Sequence, residues 1–222
     1  MPSKKYNSIN IIADVHGRFD ELQKLLAKLP SAELTVFLGD LIDRGPKSKE
    51  VLDYVMAAKD TICLYGNHED LMVGHFDKRS DWWFPNGGMQ TFNSFNYFVP
   101  EHYLEWMKKL PLYFQTNDLF LSHAPVENLR YTKDLNLDGE PGWVPRNRFE
   151  RETNDVENFI WNRTSPLKKE SKFMVYGHNH RPKLSLDDNN VEYARCIDNT
   201  GHKKLCAMNW PSRELFFEDY IL

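Results

Sequence analysis

Cysteine is scarce in this chain, and basic clusters and long apolar runs are missing from it. The cysteines are Cys63, Cys196 and Cys206, widely spaced and without a Cys-x-x-Cys pair. That excludes a disulfide framework and a thiolate zinc ribbon, and it suits reduced thiols. No block of Lys or Arg occurs, and 28 basic against 32 acidic residues give a formal net charge of -4. The electrostatic footprint of a nonspecific nucleic-acid binder is therefore absent. No apolar run is long enough to cross a membrane, and Met1 to Asn7 is not followed by a stretch of signal-peptide type. The expectation is a cytoplasmic protein with neither a membrane nor a nucleic-acid partner. Nothing in the sequence specifies an oligomeric state, and no internal repeat or low-complexity tract occurs.

With 222 residues, 41% of them hydrophobic, the chain has enough apolar material for one sizeable core, and a single domain over residues 1–222 is expected. Ile9 to Ala13 is an apolar, β-branched run, after which Leu22, Leu25, Leu26 and Leu29 recur at helical spacing. The unit repeats with a strand at Leu34 to Leu38 and a helix whose apolar face is Val51, Leu52, Val55 and Met56. Thr61 to Tyr65, Leu119 to Ser122 and Phe173 to Tyr176 are further strands, and Val191 to Ala194, Leu205 to Met208 and Leu215 to Glu218 make the closing third rich in β. Alternation of this kind predicts an α/β fold. Two stretches break the pattern: the aromatic Asp81 to Phe98, and the polar, aperiodic Glu127 to Asn154.

Residues able to bind metal stand immediately after the predicted strands. Asp14 and His16 follow the first, Asp40 the second and Asn67 with His68 the third; His123 follows Ser122, and His178 follows Tyr176 after one glycine. Ligands in open α/β sheets bind beyond the carboxyl ends of strands, so these side chains can converge. Carboxylates, imidazoles and an amide oxygen suit divalent Mn, Fe or Zn. Six such ligands exceed the needs of one ion, whereas two ions about 3.5 to 4 Å apart, bridged by Asp40, would use them all. Any one of these residues alone reads as a turn, a cap or a hydrogen-bonded core group, and His75, His102 and His202 are left in that class.

The motifs Asp14-Val-His-Gly17, Gly39-Asp-Leu-Ile-Asp-Arg-Gly45, Gly66-Asn-His-Glu69, Ser122-His-Ala124 and Gly177-His178 resemble those of calcineurin-like metallophosphoesterases. Asp43-Arg44-Gly45 and Ile160-Trp-Asn-Arg163 are similar to the phosphoprotein phosphatase branch, most of all its bacteriophage lambda-type enzymes. The resemblance runs from Ile11 to about Phe217. It implies a four-layer α/β/β/α sandwich with two mixed β-sheets. It also implies two divalent metal ions, with Mn expected and Fe or Zn as alternatives. One ion would lie on Asp14, His16 and Asp40, the other on Asp40, Asn67, His123 and His178. A water between them would attack phosphorus in line. His68 would be the general acid, oriented and kept charged by Asp43, and Arg44 and Arg163 would clamp the phosphoryl oxygens. The implied substrates are phosphoserine or phosphothreonine, or phosphotyrosine, in a phosphoprotein, or a small phosphate ester. Symmetrical dinucleoside polyphosphates such as diadenosine tetraphosphate are the alternative, and a noncatalytic scaffold is a third reading.

The chain departs from the lambda-type pattern at two places. Gly177-His-Asn-His180 has a second histidine, which is either a seventh metal ligand or a surface residue beside Arg181-Pro182. Ile197-Asp-Asn-Thr-Gly201 has one residue more than the pattern, which predicts a bulge near the cleft. Asn86-Gly87-Gly88 resembles a segment near the cleft in the same enzymes. Trp82 and Trp83 are expected to be packed, and Arg146, Arg148 and Arg151 either meet an anionic substrate or are solvated beside Glu150 and Glu152.

Overall fold

The computed structural model describes residues 6–127, 142–145, 153–168 and 172–221. A five-stranded sheet has the order β11-β10-β1-β2-β3, with β1 Ile9–Ile12, β2 Leu34–Phe37, β3 Thr61–Cys63, β10 Lys204–Trp210 and β11 Glu214–Asp219. A six-stranded sheet has the order β6-β4-β5-β7-β9-β8, with β4 Pro111–Gln115, β5 Leu119–Ser122, β6 Gly142–Pro145, β7 Phe173–Tyr176, β8 Lys183–Leu186 and β9 Glu192–Cys196. Both sheets are mixed. β1, β2 and β3 run parallel in one, β5, β7 and β9 run parallel in the other, and the outer strands pair antiparallel.

Side-chain alternation along the strands builds two apolar layers. Ile9 and Ile11 of β1, Leu34 and Val36 of β2, Leu119 and Leu121 of β5, Phe173 and Val175 of β7, and Cys206 and Met208 of β10 pack into one cluster between the sheets. The intervening residues, among them Ile12, Phe37, Phe120, Met174, Tyr176 and Ala207, belong to a second cluster shared with the helices. Those helices are α1 Phe19–Lys28, α2 Ser48–Ala57, α3 Asn67–Phe76, α4 Gly88–Ser94, α5 Glu101–Met107 and α6 Thr153–Ile160. Sheet on sheet with helices outside is the expected four-layer arrangement.

The aromatic stretch 81–98 folds into a 3-10 turn, Phe84–Asn86, followed by α4. Trp83 is fully buried there against His75, Phe76, Phe84 and Phe92. Trp82 corrects the packing expectation: its neighbour takes the interior place, and Trp82 is 68% exposed. The extra residue at 198–201 produces no strand bulge. Asp198 Oδ1 accepts the Thr200 N–H at 2.9 Å and its hydroxyl at 2.7 Å, which turns the chain into a 3-10 turn at Thr200–His202. Most of the polar stretch 127–154, with Arg146, Arg148 and Arg151, lies outside the described residues. Among the described residues no helix is long and apolar enough to cross a membrane.

Candidate metal centre

Each of the six parallel strands delivers a polar residue to the same end of the sandwich. β1 leads to Asp14 and His16, β2 to Asp40, β3 to Asn67, β5 to His123, β7 to His178 and β9 to Asp198, and all seven are buried. The turns that present them are tight. His16, Asp40, Asp43, Arg44, His178 and His180 all have positive φ, between 49° and 72°. Non-glycine residues in this region are uncommon, and they persist where the surrounding structure holds them.

Two overlapping groups of donor atoms result. His16, Asp40 and His68 form one, Asp40, His123 and His178 the other, each within 4.8 Å, with Asp40 common to both. His123 Nδ1 lies 2.9 Å from the Leu38 carbonyl, to which it donates, leaving the Nε2 lone pair 2.9 Å from Asn67 Oδ1 and 3.4 Å from Asp40 Oδ1. His16 Nδ1 is likewise committed to the Ile42 carbonyl at 2.9 Å, so its Nε2 lone pair faces Asp40 Oδ2 at 3.8 Å. His178 Nδ1 approaches Asn67 Oδ1 at 2.9 Å, and its buried Nε2 has no hydrogen-bond partner. Carboxylate, amide and imidazole atoms thus crowd one buried pocket, an arrangement that a cation between them makes favourable. Burial, then Asp198 and Asp40, raises the Asp14 pKa well above the carboxylate range. Burial, then Glu69, does the same to Asp40. Burial holds His123 down to about 3, so its ring is neutral and able to ligate. The donor set fits divalent metal.

Glycine makes the convergence possible. A side chain at Gly66 would run into Asp40 Oδ1, and one at Gly177 into Asp14 Oδ1. Asp14 itself takes the His178 N–H at 3.2 Å. Glu69, fully buried, accepts from the backbone N–H of Asp40 and Leu41, both at 2.8 Å, and of Gly66 at 3.0 Å. One carboxylate thus ties the loops after β2 and β3 together. Its place in the Gly66-Asn-His-Glu69 motif was the signal available in the sequence, which did not disclose this role.

His68 Nδ1 lies 2.6 Å from Asp43 Oδ2, a contact that fixes the orientation of the ring. Asp43 Oδ1 accepts the Trp83 indole N–H at 3.0 Å and the Thr91 hydroxyl at 2.7 Å. The aromatic stretch therefore anchors the carboxylate that aims the histidine. Burial raises Asp43 to about 7 even against those two bonds. Burial, then Arg44 and His180, holds His68 well below the usual imidazole value. Both shifts have one cause, the loss of water around the ionised forms.

Arg44 is exposed, with Nη1 2.7 Å from His16 Nε2, and its N–H donates to the Gly87 carbonyl at 3.2 Å. Asn86-Gly87-Gly88 thus does border the site. Arg163 is also exposed, and its charge reaches His178. His180 stands outside both donor groups: its backbone N–H is held by Asp198, and its Nδ1 lies 3.1 Å from Thr200 Oγ1, on the wall of an open cleft. Asp198 was missed as a site residue because the strand predicted to end at Ala194 runs on to Cys196.

Fold and donors together define a sheet-sandwich protein built to hold divalent cations at its strand ends. The chain belongs to the calcineurin-like phosphoesterase family, whose sequence model matches residues 8–203. A symmetrical bis(5'-nucleosyl)-tetraphosphatase of Klebsiella pneumoniae is 47% identical over 66 residues, 28% of this chain and 23% of that protein. Serine/threonine-protein phosphatase 2 of Escherichia coli is 34% identical over 100 residues, 40% of this chain and 45% of that protein. The chain spans less than half the length of these curated relatives. The structure of a metallophosphoesterase from Sphaerobacter thermophilus shares the fold, with a TM-score of 0.57 at 16% identity over 96% of this chain and 89% of that one.

Proposed function

We propose that the protein is a metal-dependent hydrolase of phosphate monoesters, acting on phosphoserine or phosphothreonine in proteins. The observation that carries this reading is Asp40, common to two donor groups, with His68 of the first group paired to Asp43. Asp14, His16 and Asp40 would hold one divalent ion, Mn, Fe or Zn, and Asp40, Asn67, His123 and His178 a second. Bound there, the ions supply Lewis acidity and an activated water.

The rest is the work of this chain's own side chains. Arg44 binds phosphoryl oxygens through a permanently charged, planar fork, and Arg163 adds charge from the His178 side. Asp43 fixes the His68 ring through Nδ1 and, when ionised, favours the protonated ring, whose Nε2–H can be given to the departing oxygen. Glu69 and Asp198 keep the loops in register. The complete donor set, with His68 present, supports an enzyme over a scaffold. His180 completes the first group only if Nε2 turns to the ion while Thr200 keeps Nδ1. A single domain and a cytoplasmic location remain part of this proposal, and the free, buried cysteines support the latter.

A second reading is hydrolysis of symmetrical dinucleoside polyphosphates, favoured by the arginines Arg18, Arg44 and Arg181 around the cleft. Turnover of a phosphopeptide, an aryl phosphate and diadenosine tetraphosphate, each with Mn, Zn, Fe or Mg restored to stripped protein, separates the two. The leading reading expects the phosphopeptide to be cleaved fastest, and failure to cleave any ester would sink both.

A further inference from the structure

The cleft beside the donor cluster is larger and more cationic than one phosphoryl group requires. It encloses about 490 Å³, and its walls include His16, Arg18, Arg44, His180, Arg181 and Tyr220 but no aspartate or glutamate. In a chain with more acids than bases this is a sharp local reversal of charge. Through His16 and Arg44 the cleft opens directly onto the donors. Its wall also carries Arg18 and Arg181.

Arg18 is pre-positioned. Its guanidinium carbon lies 4.4 Å from the Tyr220 ring centroid, and Nη1 is 3.5 Å from Glu21 Oε1. Stacked in this way it keeps donors for a ligand while losing little side-chain freedom. Arg181 is exposed and has no ion pair among the described residues. His180 is tied back at Nδ1, which donates to Thr200 Oγ1 at 3.1 Å, so the charge of the cleft rests on its arginines.

We propose that this cleft is a subsite for a second phosphate of the substrate, one that is retained while its neighbour is cleaved, bound by Arg18 and Arg181. The inference rests on the phosphate-ester reading above and adds a requirement to it. Two sources carry the chemistry: the next phosphate of a polyphosphate chain, or a second phosphorylated residue in a peptide.

Calorimetric titration of the full metal-loaded chain, with free metal ion held constant, tests the proposal. Two ligand pairs are compared: orthophosphate with tripolyphosphate, and one peptide phosphorylated singly with the same peptide phosphorylated twice. In at least one pair the second phosphate should tighten binding at least about tenfold, and Arg181→Ala should remove about tenfold of that gain, with Arg181→Lys intermediate. The pair that responds names the source. No gain in either pair, or a gain that survives Arg181→Ala, overturns the proposal. Repeating each titration with His68→Asn separates heat of cleavage from heat of binding, and a protein that captures the second phosphate but cleaves no ester would sink the hydrolase reading and leave only the binding role of the cleft.

Discussion

The donor cluster and the cleft beside it share His16, yet they are opposite in every physical respect. In the cluster, acceptors are buried and fixed by backbone: His16 and His123 each give one nitrogen to a carbonyl, and Asp40 sits in a left-handed turn gripped by Glu69. In the cleft, donors stand on long side chains, with Arg44 and Arg181 exposed. The cluster is held by the fold's own hydrogen bonds, whereas the cleft is lined by side chains that can adapt to what is bound. This division suits a site in which a cation must find one geometry and a phosphate may come on varied carriers.

Breaking the cluster should have the largest effect. Asp40→Asn keeps an acceptor for the His68 N–H but removes the charge shared by both donor groups. Turnover should fall by on the order of a thousandfold or more, and elemental analysis should show fewer than two ions per chain. Next, His68→Asn should slow esters with poor leaving groups by about a hundredfold or more and leave metal content intact. Loss of metal in that variant would contradict its role as an acid.

A smaller effect probes the support behind the histidine. Trp83→Phe deletes one of the two donors that hold Asp43 below the value burial alone would impose. The Asp43 pKa should rise further, so the acid limb of the kcat/KM profile should move to higher pH, with a loss of about tenfold at neutral pH. An unmoved limb would show that the indole only packs. The smallest change sought is in metal affinity. Burial raises Asp14 and Asp40 well above the usual carboxylate value, so binding of a cation should be accompanied by proton release from them. Affinity should therefore keep rising above about pH 5, where ordinary carboxylates have finished titrating, with proton release visible in calorimetry in two buffers.

The same contrast decides what could be read from the sequence. Asp14, His16, Asp40, Asn67, His123 and His178 were legible because each follows a short apolar run, and strand ends of parallel sheets converge. Glu69 and Trp83 carry equal structural weight but act over distance: Glu69 grips amides 28 and 29 positions away, and Trp83 donates across 40 positions. No local pattern records such pairings. Asp198 obeys the strand-end rule, but β9 and the edge strand β8 are too irregular for periodicity to fix their limits, since a register shift lies at Ser185/Leu186. Trp82 and Trp83 are identical in type and adjacent, and only tertiary packing decided which one is buried.

The central claim is that the buried acceptors around Asp40 hold two divalent ions and that ester hydrolysis depends on them. Its most direct test is to strip the protein with chelator, titrate Mn, Fe or Zn back, and follow bound metal and aryl phosphate hydrolysis in the same sample. The account predicts two equivalents bound, with activity absent before the titration and complete at its end. Undiminished hydrolysis in the stripped protein, or full activity with no metal retained at the cluster, would contradict it.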